Sequence, residues 1–471
     1  MLSTKLIKNL KLLNKQSLNQ FEKFVDSPYF LKRKQVSALF KEIKSNAPIY
    51  EVDKREVFSK AFPGKPYNDM LMRKYISELH RMLEEYRAIS SFRKDFLRYT
   101  DRLTEDYILL KNYDEAEKLS SFAINRLESK KLRNENYYYN KFIFEKHLKT
   151  ISNKRTNLNP DSDWKPAMDS FVNYSAIMLL KFYTILLNDI IFRRAKSDIS
   201  FELLDELVKV FEHNVIAGNP VAAIQYNIVL SYLEPENVKH YYAIKNLLFE
   251  YEGLMEEDEV DAIYTHLHNY SYIKVDNGNM NFLNERFEIS SKVLSRGYSV
   301  KDGIIPDMFI SITINALMLD KFEWTEEFIK KYKNFLLTDN KQAVINFTYA
   351  IFFMFTKDFD KALGYLSRVK FSAYYDKLKI KWLNLMIYYE GGMYESAFSL
   401  ADSFRHFILK YKSITPYVKE RTGNFIKQVL QLIKYRLNEA DKAEIKEFQT
   451  KAVMHRPWLV QKIEEAKAAK K

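Results

Sequence analysis

The chain has 471 residues, of which 47% are apolar and 15% aromatic, with a formal net charge of +13 and no cysteine. Disulfides, thiolate metal sites and cysteine nucleophiles are therefore excluded, and so much apolar side chain gives a packed core rather than a disordered chain. Its 10 glycines are about 2% against a usual ~7%, which argues against phosphate-cradling loops, nucleophile elbows and tight hairpins and predicts an all-α fold.

Charge is concentrated at the front. Residues 1–100 hold 21 Lys+Arg against 11 Asp+Glu, while the remaining 371 hold 53 against 50. A basic helical bundle over 1–90 is expected, followed by a nearly neutral body. In the first predicted helix Lys5, Lys8, Lys11 and Lys15 project to one side, with Leu2, Leu6, Leu10 and Leu13 on the other. This opening lacks the continuous apolar stretch and small-residue cleavage site of a signal peptide. A basic amphipathic helix can lie on nucleic acid or an anionic membrane. Here Phe21, Phe24 and Leu39 also supply a bundle for its leucines.

Ser17 with Gln20 reads as a capping box before Phe21, and Pro28 in Asp26–Phe30 stops that helix. Asp53 caps a short helix to Ala61; after "FPGKPYN" a long helix runs from Asn68 or Asp69 to about Ala88. Helical hairpins are expected over 91–151. A loop over 152–166, "SNKRTNLNPDSDWKP", comes next. Tyr174–Phe192 is the most apolar stretch, and Lys181, Asn188 and Asp189 break it short of a spanning helix. An α-solenoid then fills 167–440, punctuated at Ala217–Pro220, Leu233–Asn237 and Val275–Asn279, and a charged helix closes 441–471.

One phrase recurs. "LKNYDEAEKLSSFAI" (Leu110–Ile124), "LDKFEWTEEFIKKYK" (Leu319–Lys333), "TKDFDKALGYLSRVK" (Thr356–Lys370) and "EGGMYESAFSLADSF" (Glu390–Phe404) each place an aromatic after a polar turn (Tyr113, Phe322, Phe359, Tyr394). A small residue follows three later: Ala116, Thr325, Ala362 and Ala397. The last three aromatics are spaced close to the 34-residue period of the tetratricopeptide repeat, which the chain resembles over about 95–130 and 300–412. Thr104, Ala116 and Ala123, and again Ala350, Ala362 and Val369, stand at that family's small-residue spacing. Thr313 and Leu385 depart from it, and no phrase ends in the family's proline. An irregular α-solenoid is the competing reading. "FVDSPYF", "FPGKPYNDMLMRKYISELHRMLEEY" and "EWTEEFIKKYK" also resemble uncharacterised helical proteins of Bacteroidota, which implies the same layout and no activity.

Motifs for catalysis are missing. There is no HExxH, Walker A, GxGxxG or GxSxG. His266 and His268 are two apart, which turns them to opposite sides of a helix, and the acid pairs Glu84–Glu85 and Glu256–Glu257 fall in solvated stretches. No enzyme activity, metal, cofactor or small-molecule substrate is expected. Val57–Leu83 looks like the helix-turn-helix of winged-helix transcriptional activators, which implies phosphate or base contacts for Arg73, Lys74 and Arg81. The stretch after it reads as helix where that family has a β-hairpin wing. In a tetratricopeptide hairpin the first helix lines the groove. That face would show Phe347, Ile351 and Met354 in one hairpin, best read as core. In the next it would show Lys379, Trp382, Met386 and Tyr389, a half-exposed strip suited to a partner's peptide or helix. The expectation is a cytoplasmic, non-enzymatic scaffold or adaptor that binds another protein, with a nucleic-acid-binding regulator as the alternative.

Overall fold

A computed structural model describes residues 4–30, 33–51, 53–131, 133–156, 163–190, 204, 206, 209, 219–297, 303–370, 374–437 and 452–468. Among them lie 21 α-helices and no strand; a single β-bridge pairs Ile304 with Leu336. The all-α expectation holds. Two compact units divide the chain, Met1–Leu179 and Leu180–Lys471.

The first unit opens with five helices: α1 (Lys5–Leu10), α2 (Lys15–Val25), α3 (Lys34–Lys44), α4 (Lys54–Ala61) and α5 (Asp69–Lys94). They close around Leu10, Phe21, Leu39, Phe40, Met72 and Leu79, each fully buried. Asp53 caps α4 by accepting from the Arg55 and Glu56 N–H groups, and Asn68 caps α5 by accepting from Leu71. The expected capping box is not formed: Asn14 accepts from the Ser17 N–H, so α2 begins before that serine. That break also splits the projected first helix. Lys5 and Lys8 lie on α1, Lys11 follows it, and Lys15 opens α2. Leu6 and Leu10 enter the core while all four lysines stay exposed; Leu2 lies outside the described residues.

Three more helices, α6 (Phe96–Leu109), α7 (Tyr113–Glu128) and α8 (Glu135–Thr156), pack in sequence. The expected loop is shorter than 152–166, because α8 reaches Thr156 and α9 (Lys165–Asn188) starts at Lys165. Among the described residues α9 alone is long and apolar enough to cross a membrane by length and composition, and 33% of its most apolar window is buried inside the protein.

The second unit continues with α10 (Pro220–Leu233), α11 (Lys239–Tyr251), α12 (Glu257–Asp276), α13 (Phe282–Arg296), α14 (Pro306–Met318), α15 (Phe322–Tyr332), α16 (Lys341–Phe355), α17 (Phe359–Ser367), α18 (Tyr374–Glu390), α19 (Tyr394–Lys410), α20 (Pro416–Arg436) and α21 (Arg456–Ala468). Of the charged closing helix expected over 441–471, residues 452–468 are described: 452–455 form a non-helical lead-in and the helix occupies 456–468.

The recurring phrase has one backbone form. Tyr113, Phe322, Phe359 and Tyr394 are the first residues of α7, α15, α17 and α19. Two positions earlier the chain is left-handed each time, at Lys111 (φ 61°), Asp320 (φ 55°), Lys357 (φ 61°) and Gly392 (φ 70°). The next N–H then reaches back five residues. Asn112 bonds Tyr107 at 2.8 Å, Lys321 bonds Ala316 at 3.0 Å, Asp358 bonds Phe353 at 2.9 Å and Met393 bonds Tyr388 at 2.8 Å. This satisfies carbonyls that the first helix would leave orphaned. The small residue lands where the paired helices meet: Ala116, Thr325, Ala362 and Ala397 are each 0% exposed. Thr104, Thr313, Ala350 and Leu385 of the first helices are equally buried, so the two departures occupy the same position as the matches. Gly278 (φ 99°) makes the turn between α12 and α13, where Asn279 N–H bonds the Lys274 carbonyl at 2.9 Å. Five helical hairpins among the described residues thus share one turn.

Candidate partner-binding groove

Four positions on α18, Lys379, Trp382, Met386 and Tyr389, were expected to face a partner. The structure closes that face. Trp382 is 3% exposed, Met386 7% and Tyr389 0%. The expectation treated the groove as open, but the chain's own α21 and the residues before it lie across it. His455 meets the Trp382 ring edge-on at 5.3 Å between centroids, and Trp458 meets Tyr389 in the same way at 5.5 Å. The Phe347, Ile351 and Met354 face is also core.

The seating of α21 follows from its sequence. "RPWLVQKIEEAKA" places Trp458, Leu459, Lys462, Ile463 and Ala466 on one face, and all five are buried. A lysine in the middle of such a face needs an acceptor. Glu390, at the end of α18, supplies it. Its Oε1 accepts from Lys462 Nζ at 2.8 Å and from the Trp458 indole N–H at 2.9 Å, and Glu465 takes Lys462 from the solvent side. Arg436 lies over the Tyr389 ring, 4.4 Å from its centroid. Burial pushes the Tyr389 phenol up.

Arg421 of α20 fixes the chain leading into α21. Its guanidinium donates to the Val453 carbonyl, to the Tyr417 hydroxyl and to both carboxylate oxygens of Asp276 at the end of α12. Burial alone would lower the Arg421 pKa, and the Asp276 carboxylate outweighs it. Asn424 donates to the Ala452 carbonyl at 2.8 Å. The His455 ring, buried beside Arg421, is pushed down to about 4 by burial and then by that charge. Lys379 stands at the margin of the face, ion-paired with Asp307 and Asp376.

The alternative site residues are on the surface of the bundle. Lys5, Lys8, Lys11, Lys15, Arg73, Lys74 and Arg81 are all exposed, and Arg73 pairs with Asp69 at 2.7 Å. No wing follows α5 among the described residues: the helix extends past the expected Ala88 to Lys94, and α6 begins at Phe96. His266 sits in the interior, with Ser231 Oγ 2.9 Å and Tyr232 OH 3.1 Å from its ring nitrogens, and burial pushes it down to about 3.

Glu390, Trp458 and Lys462 escaped the sequence reading. The available signal was an aromatic and a lysine four apart on one face of an amphipathic helix, a pattern equally at home on a solvated helix. Comparison with known protein families, with curated proteins and with solved structures finds no match to this chain.

Proposed function

We propose that this chain is a non-enzymatic, tetratricopeptide-like scaffold or adaptor, cytoplasmic as the lack of cysteine suggests, that binds a helix of another protein in the groove of its second unit. One observation carries the reading: the groove already holds an amphipathic helix, seated by an aromatic and a lysine on Glu390 and Tyr389. Helix-in-groove recognition uses such anchors at i and i+4, and buried aromatics carry a large share of binding energy. A partner helix with an aromatic and a basic residue four apart would compete with α21.

The test is affinity purification from the native host, with and without nuclease, using the wild-type chain and Trp458→Ala. A protein retained after nuclease and enriched by the variant, which loosens α21, supports the reading. A partner lost from Trp458→Ala, or dependent on nucleic acid, contradicts it. The nucleic-acid reading rests on the exposure of the seven named cations. It requires a duplex mobility shift at about 150 mM salt, where screening acts within ~8 Å, and a shift that Lys8→Glu with Arg73→Glu removes.

A further inference from the structure

We propose that Asp101, Glu105 and His147 form a site for a first-row divalent cation that clamps α6 to α8. Asp101 and Glu105 are one turn apart on α6 and share its face, and His147 comes from α8. One donor atom from each residue lies within 4.8 Å of the other two, and His147 Nε2 is 2.7 Å from Asp101 Oδ1. Donors around a tetrahedral ion with bonds of about 2.1 Å stand roughly 3.4 Å apart. To hold an ion between all three, the His147–Asp101 pair opens by about 0.7 Å and Glu105 closes in.

The surroundings favour an ion. The imidazole is held still, 4% exposed and against the Phe144 ring. The carboxylates open toward solvent, with side chains 24% exposed at Asp101 and 41% at Glu105, which leaves room for entry and for water ligands. Two carboxylates at this spacing repel each other, and among the described residues the one Lys or Arg paired with them is the exposed Arg102 on Glu105. One imidazole with two carboxylates suits zinc or manganese; calcium prefers an all-oxygen shell of six to eight ligands.

The test is a titration of the untagged full chain, stripped with a chelator, with Zn²⁺ by calorimetry and with Co²⁺ by visible absorption. The expected result is one saturable equivalent with a ligand-field band for Co²⁺. His147→Gln and Glu105→Gln should each weaken it by about tenfold or more, at least the loss that outer-shell changes cause. Glu105 is partly exposed, so its variant keeps the fold, as an unchanged circular dichroism spectrum checks. Absence of saturable binding by the wild-type chain, or unaltered affinity in either folded variant, overturns the site and leaves a solvated ion cluster.

Discussion

Within the bundle of residues 5–94, Ser37 is the one buried polar side chain among the described residues, whereas the second unit buries the cations Lys245, Lys274, Arg286 and Lys462 and the ring of His266. The bundle keeps its excess charge in water and is held by apolar packing. In the hairpin array most of these cations pair with acids distant in sequence. Lys245 reaches Glu285 and Glu288, both at 2.6 Å, Lys274 reaches Glu236 at 2.7 Å, and Lys462 reaches Glu390. Arg286 instead meets the Ser311 hydroxyl and the Tyr272 ring. Replacing such buried pairs with apolar groups is often neutral, while removing one partner is costly. The difference teaches that the array's charges select neighbours, and the bundle's charges remain available to solvent.

The largest test of that contrast is Trp458→Ala. Removing a buried indole costs about 3–5 kcal/mol, and segment-resolved hydrogen exchange should place the loss in the second unit while α1–α5 keep their protection. Equal loss in both would break the comparison.

Acid should act next. His266 at about 3 and His455 at about 4 lie below the ordinary 6.5, so between those values the unfolded chain binds more protons than the folded one. Stability from the neutral rings is complete above pH 6.5 and is lost as pH falls toward the folded values. By pH 4.5 each ring has given up about 2–3 kcal/mol. The bundle buries no histidine among its described residues, and exchange measured from pH 7 to 4.5 should show the second unit opening first.

Ala362→Phe should cost about 1–3 kcal/mol by overpacking the contact of α16 with α17; an unchanged denaturation midpoint would remove the hairpin crossing there. Arg73→Ala should be the smallest. Its partner Asp69 is a surface group on the same helix, so the midpoint should not move measurably, as calorimetry can check.

Helix content, the five-helix bundle and four hairpins were legible because periodicity, caps and the aromatic-plus-small phrase are local. The hairpin of α12 and α13 was not. It keeps the left-handed turn at Gly278 but has Met280 where the others have the aromatic. The start of α2 was misplaced by three residues because Asn14 and Ser17 are both good caps. The groove strip was found as a face, and its closure was missed because Glu390 and Trp458 are 68 residues apart. Asp101 and His147, 46 apart on different helices, went unseen for the same reason.

Hydrogen exchange of residues 456–468 in the full chain, wild type against Glu390→Ala, tests most directly whether the groove of the second unit holds a helix through Glu390. The seating described here predicts slow exchange of α21 in the wild type. In the variant Trp458 and Lys462 lose their shared acceptor, so α21 should exchange markedly faster while α16 and α17 are unchanged. Fast exchange of α21 in the wild type, or equal protection in the two proteins, would contradict it.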